Sequence, residues 1–159
     1  MEKNTLVLGL GNPLMADEGI GAYLVQRLAQ LKDEFPNVDF IDAGTGGMAI
    51  LHLIQNRPKV IIIDCARMGL QSGDIKRFTP EQAQSVKALA HHSLHEADIL
   101  GIIDMARRLG RCAGEIVIFG IEPEIVQPAQ QLSSVLADRI DYYIVEICVE
   151  LTLNRLGAF

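Results

Sequence analysis

The segment from Val60 to Asp64 constrains the fold more than any other part of the chain. Four consecutive β-branched residues, Val60 to Ile63, come directly before an aspartate. A short, continuous run of this kind is typical of a strand that is buried on both faces, as in parallel sheets covered by helices. The run therefore predicts a central strand of an α/β fold, with Asp64 at its carboxyl end.

Apolar runs alternate with helical patterns along the rest of the chain, which favours a mainly parallel sheet with helices on both faces. Further strands are predicted at 5–9, 38–42, 75–78 and 115–121, and the strand at 75–78 is expected at a sheet edge. One helix is predicted after Asp17 as its N-cap, and a second is predicted from Met48 to a stop at Pro58. Two more helices follow capping boxes at Thr79 and Ser93, and a last helix spans about 130–156. Because no repeat or linker interrupts this pattern, we expect residues 1–159 to form a single domain.

Composition excludes several classes of protein. The net charge of −6 argues against a general nucleic-acid binder, which needs a basic face for phosphates. No apolar segment approaches the ~20 residues that span a bilayer, and no long signal-peptide core precedes the first strand. Cys65, Cys112 and Cys148 are odd in number and widely spaced, which predicts reduced thiols, with a reactive Cys65 as the alternative. We expect a cytoplasmic monomer that binds neither nucleic acid nor membranes.

Acidic residues follow three of the predicted strands. Glu18 lies between the first strand and its helix, Asp42 ends the second strand, and Asp64 ends the central one. Ligands of parallel sheets gather outside the carboxyl ends of the strands, so we expect these side chains to be neighbours. For Asp42 alone a turn or a helix cap is the simpler interpretation. A carboxylate at the end of a buried strand, in contrast, needs a positive or donor-rich partner.

His92 is the candidate third ligand. It stands directly before the N-cap Ser93, where the helix dipole disfavours imidazolium and favours the neutral form that binds metals. His91 and His95 belong to the same cluster, and His95 is the reserve candidate. Two carboxylates and one imidazole suit a borderline metal such as nickel or zinc, with room for external ligands. The sequence thus predicts a metal site made of Glu18, Asp64 and His92.

The glycine loop that begins at Gly9 suggests two functions that its sequence excludes. A dinucleotide-binding loop needs a third glycine where this chain has Leu14, so we exclude nicotinamide binding. The segment from Leu8 to Pro13 also resembles the opening of peptidyl-tRNA hydrolase. The family's catalytic histidine is missing, because no histidine follows until His52, and the acidic balance does not suit a tRNA ligand.

The ordered motifs together resemble the hydrogenase maturation endopeptidases. The matching segments are Gly9 to Gly21, Asp42 to Thr45, Ile63 to Cys65, His92 before Leu94, and Phe119 to Pro123. The chain departs from the family pattern at Ala43, where the family usually has glycine. We choose His92 over His91 because it stands five residues before Ala97, as the family's spacing requires.

The resemblance implies a three-layer α/β/α sandwich with a twisted, mainly parallel sheet. It also implies an endopeptidase that removes the C-terminal extension from the large-subunit precursor of a nickel-iron hydrogenase. Glu18, Asp64 and His92 would then contact nickel that the precursor carries, and Asp42, Gly44 and Thr45 would form a substrate loop.

Two alternatives remain open. In the first, zinc or another divalent ion bound by the protein itself acts as in a metallopeptidase, although the chain has no HExxH motif. The chain also has no GxSxG elbow, which a serine nucleophile would need. In the second, the protein is a non-catalytic nickel-binding or hydrogenase-assembly chaperone module. Such a module would bind the precursor without shortening it.

Overall fold

The computed structural model describes residues 3–87 and 94–156 of the chain. Within those ranges, five strands form one sheet in the order β2-β1-β3-β5-β4. The strands are β1 (Thr5–Gly9), β2 (Val38–Asp42), β3 (Lys59–Cys65), β4 (Ile75–Phe78) and β5 (Glu115–Ile121). All neighbours pair in parallel except β4, which runs antiparallel to β5 at the edge. The predicted central strand and the predicted edge strand are both confirmed.

Helices cover both faces of the sheet. They are a 3₁₀ helix (Ala16–Gly19), α1 (Ile20–Ala29), α2 (Ala49–Ile54), α3 (Pro80–Lys87), α4 (Leu94–Arg108), α5 (Ser134–Ala137) and α6 (Ile140–Leu156). Buried side chains of α1, α5 and α6 pack on one face, and those of α2, α3 and α4 pack on the other. The molecule is therefore the predicted three-layer α/β/α sandwich.

The alternation of side chains along β3 explains its uninterrupted apolar run. Ile61 and Ile63 pack against the α1 and α6 layer, whereas Val60 and Ile62 pack against the α2 and α4 layer. All seven residues of β3 are buried. A strand that is covered on both sides needs apolar side chains at successive positions rather than at alternate ones.

The capping box at Thr79 is confirmed at the start of α3. The Thr79 N–H donates to Gln82 Oε1 at 3.0 Å, and the Gln82 N–H donates to Thr79 Oγ1 at 3.4 Å. The second predicted box, which begins at Ser93, lies outside the described residues. Helix α4 ends just before Gly110, which has a φ of 66° as expected for a glycine beyond a helix end.

Three predictions about helices are wrong. Asp17 does not cap α1, because that helix starts at Ile20 with Gly19 as its N-cap. Helix α2 begins only after Met48, whose side chain is 55% exposed instead of lying on the buried stripe. It also ends before Pro58 acts on it, since the backbone is already extended at Gln55.

The predicted last helix at 130–156 is in fact two helices. The Ser133 side chain accepts a hydrogen bond from the Leu136 N–H at 3.4 Å and so caps the short helix α5. The chain then starts again as α6, which carries the buried residues Ile140, Tyr143 and Ile147. In the described ranges, no helix combines the length and the apolar character needed to cross a membrane.

Candidate active site

Backbone hydrogen bonds join the loops at the carboxyl edge of the sheet. The Gly11 N–H donates to Gly44 O at 2.7 Å, which connects the loops that follow β1 and β2. The Ala16 N–H donates to Ala129 O at 2.8 Å, which connects the first loop to the one after β5. These bonds make the edge a preformed unit and not a set of independent loops.

Two glycines hold the Glu18 segment close to the sheet. Gly11 has a φ of 129°, which side-chain-bearing residues rarely adopt, and a Cβ there would collide with the Glu18 carbonyl oxygen. A Cβ on Gly21 would collide with the Leu10 carbonyl and would lie 2.5 Å from Ile63 O. The glycines of this motif therefore serve close backbone packing, which explains them without a dinucleotide.

The structure brings Glu18 and Asp64 to the same edge. Glu18 is half-buried in the 3₁₀ helix, and that helix packs directly against β3. Asp64 is only 4% exposed and lies in register with Gly120 of β5. The strand continues through Cys65, one residue past the predicted end, so Asp64 lies within β3 and not in the loop that follows it.

Cys65 reports the electrostatic field of this edge. Burial, followed by the negative charges of Asp64, Glu18 and Asp17, raises the pKa of the Cys65 thiol well above its ordinary value. A thiol in this environment stays protonated at neutral pH, and the thiolate is the reactive form. The alternative of a reactive Cys65 is therefore disfavoured. The charges of these three carboxylates thus act on the thiol at the end of β3.

Asp42 forms a turn at the entrance to the neighbouring loop. Its exposed side chain accepts a hydrogen bond from the Gly44 N–H at 2.9 Å, which agrees with the simple interpretation for this residue. Thr45 is exposed, and Gly44 and Gly47 have positive φ values with open space where a side chain would be. The loop thus offers accessible backbone next to the acidic edge.

His92 and His91 lie outside the described residues, and His95 lies in the first turn of α4. Among residues 3–87 and 94–156, no group of three or more His, Cys, Asp or Glu residues is arranged to hold a metal ion. Since His92 is outside these ranges, the metal site of Glu18, Asp64 and His92 stays a prediction.

Asp17 is a residue of the edge whose role the sequence did not reveal. The side chain is fully buried, and its Oδ2 accepts hydrogen bonds from the Glu124 and Ile125 N–H groups, each at 2.9 Å. Its Oδ1 accepts from the Ser133 N–H at 2.7 Å. Asp17 therefore holds the loop after β5 against the segment that carries Glu18.

Glu122 holds the loop after β3 in place through hydrogen bonds to its backbone. Its buried carboxylate accepts hydrogen bonds from the Met68 N–H at 2.9 and 3.1 Å and from the Leu70 N–H at 2.8 Å. The sequence signal was present, because Glu122 lies in the strand-end motif that leads into Pro123. Only the fold shows that its partners are backbone donors of another loop.

Comparison with known proteins identifies a family and several relatives that this chain resembles. Residues 22–150 match the family model described as hydrogenase maturation protease (HycI), a match that includes Asp42, Asp64 and His92 and begins after Glu18. The hydrogenase expression/formation protein HupD of Rhodobacter capsulatus is 29% identical over 150 residues, which are 94% of this chain and 71% of the relative. HupD of Bradyrhizobium diazoefficiens is 30% identical over 122 residues, which are 77% of this chain and 64% of that protein. These bacterial relatives are thus longer than the chain.

Solved structures agree over nearly the full length. The hydrogenase maturating endopeptidase HybD of Escherichia coli superimposes with a TM-score of 0.85 at 26% identity, covering 95% of this chain and 93% of that chain. HybD of Thermococcus kodakarensis, a [NiFe] hydrogenase maturation protease, gives a TM-score of 0.72 at 26% identity and covers 93% and 98%.

The fold and these matches define the class of the protein, which is an endopeptidase and hence a hydrolase. Within that class, the chain belongs to the hydrogenase maturation protease family.

Proposed function

We propose that this protein removes the C-terminal extension from the nickel-loaded large-subunit precursor of a nickel-iron hydrogenase. Glu18, Asp64 and His92 contact the nickel, which the substrate carries into the site. Membership of the family supports the substrate class, since the matched relatives are named for hydrogenase maturation. The contacts to nickel rest on the geometry and chemistry of the carboxyl edge.

The observation that carries the proposal is the convergence of two carboxylates from distant segments. Glu18 comes from the 3₁₀ helix after β1 and Asp64 from the end of β3, and these two elements are in contact. Asp64 is nearly inaccessible, whereas Glu18 is half-exposed, so the pair offers one buried and one approachable ligand.

The donor set suits the proposed ion. Carboxylate and imidazole ligands bind borderline divalent metals and leave positions for ligands from elsewhere, here the precursor. A nickel ion held between the two proteins fixes the scissile bond beside the carboxylates, so that hydrolysis follows recognition. Only a precursor that already contains nickel would then be cut, which makes the cleavage a check on metal insertion.

We also propose that the protein works in the cytoplasm. The three cysteines Cys65, Cys112 and Cys148 are free in the described structure, as expected in a reducing compartment.

The test is cleavage of purified precursor with and without bound nickel, followed by the intact mass of the large subunit. We expect the wild-type protein to shorten only the nickel-loaded form. Glu18→Gln and His92→Ala should abolish this processing, because each removes a metal ligand, while circular dichroism and the melting temperature stay as in the wild type.

Matched controls separate a metal site from a general loss of charge. Glu146→Gln changes a half-buried glutamate on α6, and His52→Ala changes an exposed histidine on α2; both should process the precursor normally. Normal cleavage by Glu18→Gln would remove the metal-site argument. A precursor that binds the wild-type protein but keeps its full mass would instead identify the non-catalytic chaperone module.

A further inference from the structure

Four exposed apolar side chains stand around the acidic edge, one on each loop that follows a parallel strand. Leu14 follows β1, Met48 follows β2, Leu70 follows β3 and Ile125 follows β5. Their exposed fractions are 59%, 55%, 39% and 37%. We call these four residues the apolar rim. Single exposed apolar residues are ordinary, but one on every loop around a candidate site indicates a binding surface.

The backbone of three rim residues is held by the same contacts that build the edge. The Leu14 carbonyl accepts from the Ala129 N–H at 3.0 Å, and the Ile125 N–H donates to Asp17. The Leu70 N–H donates to Glu122 at 2.8 Å. Because these loop backbones are already held, a partner that covers the three residues loses less affinity to the ordering of loops.

The edge that carries the rim also carries negatively charged and polar groups. Glu18 is half-exposed, Asp42 and Glu124 are exposed, and the loop after β2 has open space at Gly44 and Gly47. Apolar side chains on the same edge as negative charges suit a ligand whose apolar residues flank a cationic or metal-bearing group. Four neighbouring parallel strands spread the rim over about 14 Å, which is the length of roughly four extended residues.

We propose that the apolar rim binds an extended apolar segment of the substrate polypeptide next to the scissile bond. The inference rests on the proposed function, because it takes the occupant to be the hydrogenase precursor. Leu14 is on the same loop as Glu18, and Met48 and Leu70 are on the loops that follow the strands of Asp42 and Asp64, so a chain bound across the rim passes the edge that carries the carboxylates. The rim supplies affinity and direction, and the carboxylates supply the chemistry.

A second exposed apolar row provides a control within the same chain. Tyr142, Val145, Val149 and Leu153 lie along α6 and are 51%, 57%, 51% and 56% exposed. This row is as apolar and as accessible as the rim, but it stands on a helix that covers one face of the sheet. Substitutions there change surface hydrophobicity without touching the carboxyl edge.

The experiment compares two triple variants with the wild-type protein. One carries Leu14→Ser, Leu70→Ser and Ile125→Ser, and the control carries Val145→Ser, Val149→Ser and Leu153→Ser. KM and kcat for cleavage of the nickel-loaded precursor are measured by intact mass, and Kd for the precursor by titration calorimetry. We expect the rim variant to raise KM and Kd by about tenfold or more with kcat within about twofold of the wild type. The control variant should match the wild type in all three.

The outcomes separate this inference from the proposed function. Equal KM and Kd for the rim variant, the control variant and the wild type overturn the inference, whereas cleavage by the wild type still supports the function. A wild-type protein that binds the precursor without cutting it contradicts the function, and the Kd values of the two variants then decide the inference alone. Absence of both binding and cleavage overturns both. Should the rim triple variant unfold, the single Leu14→Ser variant, changed at the most exposed rim residue, gives the same comparison.

Discussion

Asp17 and Glu18 are adjacent in the chain and serve different purposes. The Asp17 carboxylate points inward and is satisfied by three backbone N–H groups, while Glu18 remains half-exposed at the edge. Hydrogen bonds from backbone N–H groups to an ionised carboxylate are among the stronger ones in proteins. One residue thus stabilises the loop architecture, and its neighbour is left available for a ligand.

Asp17→Asn should destabilise the protein by about 2 kcal/mol. The asparagine keeps one oxygen but turns an NH₂ group toward N–H donors, so at least one buried donor loses its acceptor. Urea denaturation measures the loss, and hydrogen exchange should accelerate at the Glu124, Ile125 and Ser133 amides. Asp33→Asn, at an exposed aspartate, is the control and should leave both unchanged. Equal stability of the two variants would contradict the anchoring role.

The candidate site was predictable to the extent that it follows from strand ends. Glu18 and Asp64 were expected to be neighbours because carboxyl ends of parallel strands share an edge, and the structure places the segments that carry them in contact at that edge. Asp17 was mistaken for a helix cap because its partners lie 107 to 116 positions away and are backbone groups, which carry no sequence signature. The apolar rim could not be predicted for the same reason, because its four loops are far apart in the sequence and are neighbours only in the fold.

At the scale of elements, helix α1 packs against the loop after β1 and against β3 through backbone atoms, without side chains between them. Gly21 is the second residue of α1, and it lies against the Leu10 and Ile63 carbonyls. That contact lets the 3₁₀ helix approach β3 and thereby sets the distance between the segments of Glu18 and Asp64. Packing of this kind leaves no room for even one methyl group.

Gly21→Ala should destabilise the protein by roughly 1–3 kcal/mol and reduce processing of the precursor. Alanine is favoured over glycine within a helix by about 1 kcal/mol, but here the collision with two carbonyl oxygens outweighs that preference. Thermal denaturation and the cleavage assay measure the two effects. Gly101→Ala on α4 is the control, because no atom lies within 4 Å of the added carbon and the change should stabilise. A Gly21→Ala variant as stable as Gly101→Ala would refute the close-packing argument.

The bounds of strands and helices could be predicted where a local sequence pattern determines them. The five strands were anticipated from their apolar runs, and β1, β2, β4 and β5 match residue for residue. The last helix was not, because the apolar stripe runs without a break from Leu132 to Leu151. Ser133 caps α5 within that stripe, and a two-residue turn at 138–139 separates α5 from α6. Apolar periodicity records which side chains face the core and does not record where one helix ends and the next begins.

At the scale of the whole molecule, a buried ion cluster ties the sheet to α6 far from the candidate site. Glu150 Oε1 lies 2.7 Å from Lys59 Nζ, and Glu150 Oε2 lies 2.8 Å from Arg77 Nε. Lys59 begins β3, so the cluster is near the amino end of that strand, whereas Asp64 is near its carboxyl end. It borders a cavity of about 550 Å³ that Phe119 and Val149 help to line. The ion cluster and the candidate site thus lie at opposite ends of the same strand.

Glu150→Gln should lower the free energy of unfolding at neutral pH by about 3 kcal/mol, because it removes the buried carboxylate 2.7 Å from the Lys59 ammonium and leaves only the half-exposed Glu115, 3.5 Å away. Hydrogen bonding from Arg77, together with Lys59, lowers the pKa of Glu150 from 4.5 to about 2. A carboxyl group whose pKa is depressed by folding stabilises the folded state above its unfolded pKa, and this stabilisation is lost as the pH falls toward the folded value. The difference in unfolding free energy between wild type and variant should therefore persist above about pH 4.5 and shrink between pH 4.5 and 2, which urea titrations at a series of pH values would measure. Glu146→Gln is the control, at a glutamate that lines the same cavity. It should lower the free energy of unfolding by less than about 0.5 kcal/mol at every pH. A difference for Glu150→Gln that stays constant down to pH 2 would show that the cluster acts through packing and not through its charge.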